Sequence, residues 1–484
     1  MLTKSDKSIL RGIIFRHLDG IATATSAFAL HKKEVLNYIL KHKFVNIKNL
    51  ADEFKANEGY LNVALRVLSS QGWLDQQLDN TSNEVSYKIN SNSENAFKLV
   101  PLYEDAVNLL RYSDRFANEK MISLDAFIAL ERIFKSFESN FDLDISDETT
   151  VEYQVYKHIE GVIAGPIIVL LGVNGLFHKY FMEASFTAEE YHKDPESFKK
   201  ILDFFAHLGW FKKKRNTYQF TDKGLFFAKR ASAYGVTVSY IPTFMELDNL
   251  IFGDPMVLKT ENIGDTEKHV HREMNVWGSG GAHTTYFKVI DEVIIDLFNR
   301  PIDLQPKGIL DMGCGNGAFI EHIFNVIEQQ TARGKMLDDH PLFLVGADFN
   351  KAALKVTRAN LIAADIWAKV IWGDIGRPDL LANDLKEDYN IELQDLLNVR
   401  TFLDHNRIWE APRQKYDFVS DSTGAYASHG KRLSNNDVEA SLLEHLSKWK
   451  PYVEKFGLLI IELHTISPTL TAKSIGKTAA TAYD

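Results

Sequence analysis

Gly308-Ile-Leu-Asp-Met-Gly-Cys-Gly-Asn-Gly317 is the stretch that decides the fold. An apolar run enters Asp311, a glycine turn follows at Gly313, Gly315 and Gly317, and AFIEHIFNVIEQQ (318–330) then carries helical spacing. Strand, glycine loop and helix in this order open a doubly wound nucleotide-binding sheet, a Rossmann-like α/β fold. Glycine lets the backbone turn tightly and approach a ligand closely. The helix N-terminus behind the loop offers free N–H groups to an anionic group.

Four more segments continue the pattern. PLFLVGADFN (341–350) is an apolar run ending in Asp348, and AKVIWGDI (368–375) ends in Asp374. KYDFVSDST (415–423) reads as the fourth strand, with Asp421 near its end, and KFGLLIIELH (455–464) as the fifth, ending in His464. Near-continuous apolar runs are what parallel strands buried on both faces require. Ligands of such sheets bind outside the carboxyl ends of the strands. Asp311, Asp348, Asp374, Asp421 and His464 are therefore expected on one rim, where an acid at Asp348 can hold ribose hydroxyls. The plain alternative for any one acid is a helix cap or a turn; their recurrence at strand ends favours a ligand.

The chain's 484 residues are enough for roughly two to four domains with an ample core. A net charge of -10 and a pI of about 5.9 argue against a nucleic-acid partner, which calls for a basic footprint. The single cysteine, Cys314, lies in the glycine loop, so no disulfide can form within the chain, and a cytoplasmic home fits. No long apolar signal region opens the sequence. The longest apolar stretch, AGPIIVLLGVNGLF (164–177), is too short and glycine-rich to span a bilayer and reads as a buried helix, so no membrane is expected.

The N-terminal half reads as one unit written twice. The first copy has helical patterns at HKKEVLNYILKH (31–42), NIKNLADEFK (46–55) and GYLNVALRVLSSQGWL (59–74), then a strand-like VSYKIN (85–90). The second runs EYQVYKHIEGVIAGPIIVLLGVNGLF (152–177), FTAEEY (186–191) and PESFKKILDFFAHLGWF (195–211), then NTYQFTDKG (216–224). Both long helices close in Gly-Trp, at Gly72-Trp73 and Gly209-Trp210, where glycine suits a C-cap. Three helices and a β-hairpin make a winged-helix pattern. This gives modules at 1–95 and 151–232, joined by a helical connector at 96–150. DNA binding is the obvious use of such modules, but phosphate contacts need several well-spaced cations. The first would-be recognition helix has only Arg66, the second Lys199 and Lys200, and the run Lys212, Lys213, Lys214, Arg215 reads as a solvated wing.

Residues 233–300 read as a lid or linker into a catalytic domain at 301–484. Within HVHREMNVWGSGGAHTTYFKVIDEVIIDLFN (269–299), Gly278, Gly280 and Gly281 are unfavourable in a helix, so a helix is expected to start near Thr284 after a glycine loop. His269 and His271 lack a third metal ligand; His283 is better placed for a site. Long spacers precede Asp348 and separate Asp374 from Tyr416. The second spacer holds Arg400, Asp404, His405 and Arg407, which could reach a substrate mouth or form an ion pair on a surface excursion.

A glycine loop alone does not name its ligand, and Gly313, Gly315 and Ala318 would also pass for a dinucleotide fingerprint. Asp311 decides between them. Its carboxylate would repel a pyrophosphate but suits a ligand carrying an ammonium and a sulfonium, as S-adenosylmethionine does. The string LDMGCGNG (310–317) resembles motif I of class I S-adenosylmethionine-dependent methyltransferases. The resemblance implies that Asp311, Gly313, Cys314, Gly315, Gly317, Asp348, Phe349, Asp374, Ile375 and Asp421 surround that cofactor, with Asp374 near the adenine amine. In many natural-product methyltransferases, modules like the N-terminal pair make dimer contacts and cover the substrate, which leaves a homodimer open.

A narrower likeness adds to this. NVWGSGGAH (275–283), LDMGCGNGAF (310–319), RTFLDHNR (400–407) and ELHTISPTLTAKSIGKTAATAYD (462–484) are similar to the metal-dependent C-methyltransferases of apratoxin-type polyketide loading modules. The resemblance implies a mononuclear Fe(II) or Mn(II) beside the cofactor and methylation of the α-carbon of a malonyl unit on an acyl carrier protein. A malonyl thioester can chelate a divalent cation that stabilises the enolate, and imidazole and oxygen ligands suit iron or manganese. His464 is the first candidate as metal ligand or base, with His283 and His429 (in TGAYASHGK, 423–431) behind it. By the same resemblance a second His and a Gln ligand would follow residue 484, together with the last two strands of the sheet, so the chain is expected to be part of a longer polypeptide. Two other functions stay open. One is a metal-free O-methyltransferase of small molecules with His283, His429 or His464 as base; the other is a non-catalytic winged-helix regulator or scaffold.

Overall fold

A computed structural model describes residues 2–111, 124–181, 185–260, 267–463 and 465–479, with the side chains of residues 124 and 280–285 left aside. The chain divides into two units. One is Met1–His271 with Val419–Asn435 and Thr465–Asp484; the other is Arg272–Phe418 with Asn436–His464. The second unit therefore starts before residue 301 and leaves two later segments to the first.

In the first unit the repeat is longer than the periodicity suggests. The first copy opens with helix Lys4–Lys32, the counterpart of Val151–Val173 in the second. Its buried residues lie on every side from Ile13 to Leu30, so no one-sided apolar stripe marks it. Each copy then has a short helix, Val35–His42 or Leu176–Tyr180. In the first, β1 (Phe44–Asn46) sets Val45 opposite Tyr87; in the second, a single bridge sets Phe186 opposite Tyr218. The next helix, Glu58–Ser70 or Pro195–His207, leads into a hairpin. The hairpins are β2 (Leu74–Asp79) with β3 (Glu84–Ile89), and β4 (Phe211–Lys214) with β5 (Thr217–Phe220). Helix Ile47–Phe54 has no equivalent among the described residues of the second copy, where residues 186–191 form a bridge and turns in which Thr187 N–H donates to Glu190.

The two long helices cross at glycines. A Cβ on Gly20 would collide with His158, and one on Gly161 with the backbone of His17, so the approach requires residues without side chains. Around the crossing, Arg16-His17-Leu18-Asp19-Gly20 and Lys157-His158-Ile159-Glu160-Gly161 correspond position by position. Each histidine pairs with the tyrosine that follows the other copy's hairpin. His17 Nδ1 lies 2.7 Å from the Tyr234 hydroxyl, and His158 Nδ1 lies 2.8 Å from that of Tyr103. Val151–Val173 is long and apolar enough to cross a membrane, but 83% of its most apolar window is buried, as in a core helix. Arg66 is also buried, donating to the carbonyls of Thr423 and Ile466, while Lys200 and Lys213 pair with Glu131 and Asp203.

The second unit is built on a parallel sheet of β6 (Gly308–Met312), β7 (Phe343–Asp348), β8 (Ala368–Trp372) and β9 (Leu396–Thr401). β10 (Tyr426–Ser428) and β11 (Lys431–Leu433) form a hairpin within the first unit. β12 (Leu458–Ile461) completes the sheet in the order β12-β9-β6-β7-β8, every pair parallel. The order reverses between β6 and β9, and ligands of doubly wound sheets bind in the crevice at that reversal. Apolar residues pack on both faces: Ile309, Ile323, Leu344 and Val399 on one, Leu310, Val345, Leu385 and Trp449 on the other. β8 and β12 are only partly buried, departing from the expected pattern because they are the two edges.

Two readings of this region change. The fourth strand is LLNVRT in β9, and residues 415–423 form no strand. Asn398 and Arg400 hide β9 in the sequence because they interrupt its apolar run, yet both are buried. The Asn398 amide donates to the carbonyls of Leu396 and Tyr452. The spacer before Tyr416 thus holds helix Pro378–Tyr389 and β9 rather than a surface excursion. Residues 278–281 likewise lie inside helix Arg272–Phe287, not in a loop before it. Burial of Val276, Gly278 and Phe287 on that helix outweighs the low helical propensity of glycine.

Candidate functional site

β6 delivers the chain into a loop whose Gly313, Gly315 and Gly317 have φ of 78°, 55° and 81°, the left-handed region that favours glycine. The N–H groups of Gly313 and Cys314 both donate to Ala347 O, at 2.7 and 3.1 Å, tying the loop to β7. Gly315 N–H donates to Asp348 Oδ2 at 3.0 Å, and the Thr357 hydroxyl donates to Gly315 O at 2.9 Å. A Cβ on Gly315 would find little but open space, whereas one on Gly313 would press on Leu403 at 2.8 Å. The loop thus has room on one side and the segment after β9 on the other.

Asp311 is 1% exposed, and neither carboxyl oxygen has a hydrogen-bond partner among the described residues. Burial first, and then the neighbouring Asp348 carboxylate, push its carboxyl well above the usual range. An isolated buried carboxylate is costly unless an opposite charge meets it. The orphaned carboxyl and the open glycine loop fit a ligand bringing an ammonium and a sulfonium. Burial, Asp348 and Asp311 also raise the Cys314 thiol, which packs into the core 3.4 Å from the Thr357 hydroxyl.

The other strand ends continue this rim. Asp348 Oδ1 accepts Asn350 N–H at 2.8 Å. Phe349 is exposed, its ring 5.6 Å from that of Trp372, whose indole donates to Phe349 O. Asp374 Oδ1 accepts Gly376 N–H at 2.7 Å, a turn-forming bond, and the buried Ile375 accepts at its carbonyl from Trp449 Nε1. A pocket beside Asp374 is lined also by Arg377, Arg407, Glu410, His445 and Lys448.

The end of β9 supplies a charged turn. Phe402 has φ of 52°, a conformation that for a bulky residue costs on the order of 1–3 kcal/mol and gathers at functional sites. Its N–H donates to Ile461 O at 2.7 Å. Asp404–Asn406 then form one turn of 3₁₀ helix. Asp404 N–H donates to Glu462 Oε2, and His405 Nδ1 lies 2.8 Å from Glu462 Oε1, so the end of β12 holds the turn after β9. Asp404 also faces Arg400 Nε at 2.8 Å and His445 Nε2 at 3.1 Å. Arg400 is buried, its guanidinium 5.0 Å from the Trp449 ring centroid. Burial works against both carboxylates, but His445 and Arg400 hold Asp404, and His405 holds Glu462, below the ordinary range. The ion pair expected in the 400–407 segment exists, between Arg400 and Asp404, and it lies at the carboxyl end of a central strand rather than on a surface excursion. Glu462 escaped the sequence reading because its segment drew attention to His464.

Of the remaining candidates, two belong to the first unit and two lie wholly or in part outside the described residues. Asp421 is exposed, ends no strand and belongs to the first unit, since the strand expected to carry it is β9 instead. His429 is also in the first unit, at the tip of the β10–β11 hairpin. Its φ of 51° and that of 81° at Gly430 suit a two-residue turn with both centres left-handed, which accounts for its position. His283 lies in helix Arg272–Phe287, with its side chain outside the described residues, and His464 lies outside them altogether. Among the described residues no group of three or more His, Cys, Asp or Glu could hold a metal ion.

Residues 267–484 match the family model for the AprA MT2-like domain, 160–254 that for the AprA winged helix domain, and 10–76 that for the AprA N-terminal domain. No curated protein matches the chain. A solved structure described as PigF with SAH aligns with 52% of this chain and 72% of its own, at 12% identity and a TM-score of 0.28, a likeness that carries no argument. With the glycine loop and the orphaned Asp311, these matches make the chain an S-adenosylmethionine-dependent methyltransferase whose residues 267–484 match an AprA MT2-like domain, behind stretches that match the AprA N-terminal and winged helix domains.

Proposed function

We propose that this methyltransferase C-methylates the α-carbon of a malonyl-type thioester carried on an acyl carrier protein. The match of residues 267–484 to an AprA MT2-like domain carries the reading. The charged turn at the ends of β9 and β12, next to the glycine loop through Leu403 and Gly313, supports it. In this reading the cationic groups of S-adenosylmethionine neutralise Asp311, Asp348 takes the ribose hydroxyls, and Asp374, Ile375 and Phe349 border the adenine. Holding the methyl donor in line with the acceptor carbon supplies much of the acceleration. A divalent iron or manganese with His464 among its ligands belongs to the proposal, and when bound it would act as a Lewis acid on the malonyl group. The described residues form no metal group by themselves.

The test is methyl transfer to malonyl-loaded carrier protein, read by intact mass, with cofactor and with or without Fe²⁺ or Mn²⁺. The expected result is a metal-dependent gain of methyl mass. No gain under any metal, with the cofactor still bound, overturns C-methylation of this substrate. That outcome favours a second reading, metal-free O-methylation of a hydroxylated small molecule, which draws on the His405–Glu462 pair because imidazole backed by a carboxylate can accept a proton unaided.

A further inference from the structure

We infer that His405, oriented by Glu462, is the base that takes the proton from the methyl acceptor; the inference rests on the C-methylation reading above. His405 belongs to the turn after β9, whose carboxyl end flanks the reversal of strand order with β6. Leu403, two residues earlier, is the neighbour a side chain on Gly313 would strike, so turn and glycine loop are adjacent. Glu462 is fixed by the N–H groups of Asp404 and Leu463, at 2.8 and 2.9 Å. It accepts from His405 Nδ1 at 2.8 Å, which puts the proton on Nδ1 and leaves the Nε2 lone pair as the basic site. Nε2 is 3.0 Å from the amide nitrogen of Asn406, an exposed side chain that an arriving acceptor can displace. Asp404, locked between Arg400 and His445, holds the turn from the buried side. Among the described residues Glu462 is the charged group in contact with the imidazole, and Arg407 Nη1 donates to the Asp404 carbonyl on the same turn. A carboxylate–imidazole pair with one nitrogen oriented and the other covered only by an exposed amide is the arrangement of a general base.

In the step assigned to it, the α-C–H bond breaks and its proton goes to His405 Nε2. The electron pair passes into the enolate of the thioester. The enolate carbon forms a bond to the methyl carbon as the methyl–sulfur bond breaks, giving the methylated thioester and S-adenosylhomocysteine. The imidazolium then returns its proton to water.

Proton abstraction can be read apart from methyl transfer. Malonyl-loaded carrier protein is incubated in D₂O with the protein, S-adenosylhomocysteine and Fe²⁺ or Mn²⁺, and deuterium uptake at the α-carbon is followed by mass. The wild type should exchange well above background, His405→Asn should be slower by about a hundredfold or more, and Glu462→Gln by about tenfold. Affinity for S-adenosylhomocysteine, measured by calorimetry, should stay within about twofold in both, a result that a merely structural role for the pair would not give. Asn406→Ala keeps the pair and uncovers Nε2, so it should exchange at least as fast as the wild type. Exchange at the wild-type rate by His405→Asn, or its loss in Asn406→Ala, overturns the assignment while a methyl gain by the wild type preserves C-methylation. Absence of both exchange and methyl gain in the wild type overturns both.

Discussion

At the scale of one residue, Asp311 shows a function set against stability. Its carboxyl is buried without a partner and raised by burial and by Asp348, so the folded state holds its proton more tightly than the unfolded chain does. For a carboxyl shifted upward, stability is fullest below the unfolded value near 3.9 and is lost as pH rises through the folded value. Asp311→Asn removes that charge. It should therefore raise the thermal midpoint of the cofactor-free protein at neutral pH and flatten its decline with pH. The same change should weaken S-adenosylmethionine binding by at least about tenfold, roughly 1.4 kcal/mol, because the cation loses its counter-charge. In the wild type that affinity should tighten as pH rises, since ionised Asp311 is the form a cation meets. Calorimetric titration and thermal melts of the two proteins check all three. Unchanged affinity would remove Asp311 from the cofactor site.

At the scale of elements, the crossing of helices Lys4–Lys32 and Val151–Val173 is the contact most exposed to a single methyl group. By propensity alone, Gly161→Ala should stabilise its helix by roughly 1 kcal/mol. The added Cβ would collide with the His17 backbone, however, and overpacking of a close contact costs about 1–3 kcal/mol. The expected sum is a lower thermal midpoint, and an unchanged or higher one would mean that the helices do not approach this closely. How far such elements are legible in sequence depends on what their residues say locally. The Gly-Trp ends revealed the repeat, but helix Lys4–Lys32, buried on all sides, has no stripe to read, and the matching pentapeptides gain meaning only once they face each other. β6, β7 and β8 were legible as apolar runs ending in acids. β9 was not, because buried Asn398 and Arg400 look like surface residues until their partners in distant segments are known. The site divides in the same way. Asp311 and the glycines declare themselves by spacing, whereas the His405–Glu462 pair joins residues far apart in sequence that only the parallel pairing of β9 with β12 brings together.

At the scale of the whole chain, the two units should answer to different solution variables. In the first, burial, with smaller contributions from Arg16 and His17, lowers His158 to about 3. For a histidine shifted downward, the stabilising contribution is present above the unfolded value near 6.5 and is lost as pH falls toward the folded value, at up to about 1.4 kcal/mol per pH unit. Acidification from about pH 7.5 to about 5.5 should therefore speed amide hydrogen exchange in Lys4–Lys32 and Val151–Val173, after correction for the intrinsic rate. His158→Gln has no proton to take up and should blunt that response. In the second unit, S-adenosylhomocysteine at about a hundred times its Kd should add roughly 2.7 kcal/mol to any opening that breaks the site. The added protection should gather in the glycine loop and at the ends of β6, β7 and β8, where Asp311, Asp348 and Asp374 stand. Acid sensitivity in the two long helices that survived His158→Gln would take the buried histidine out of the explanation. Protection by the cofactor product spread evenly over both units, rather than gathered at those strand ends, would contradict a site built from the sheet's own residues.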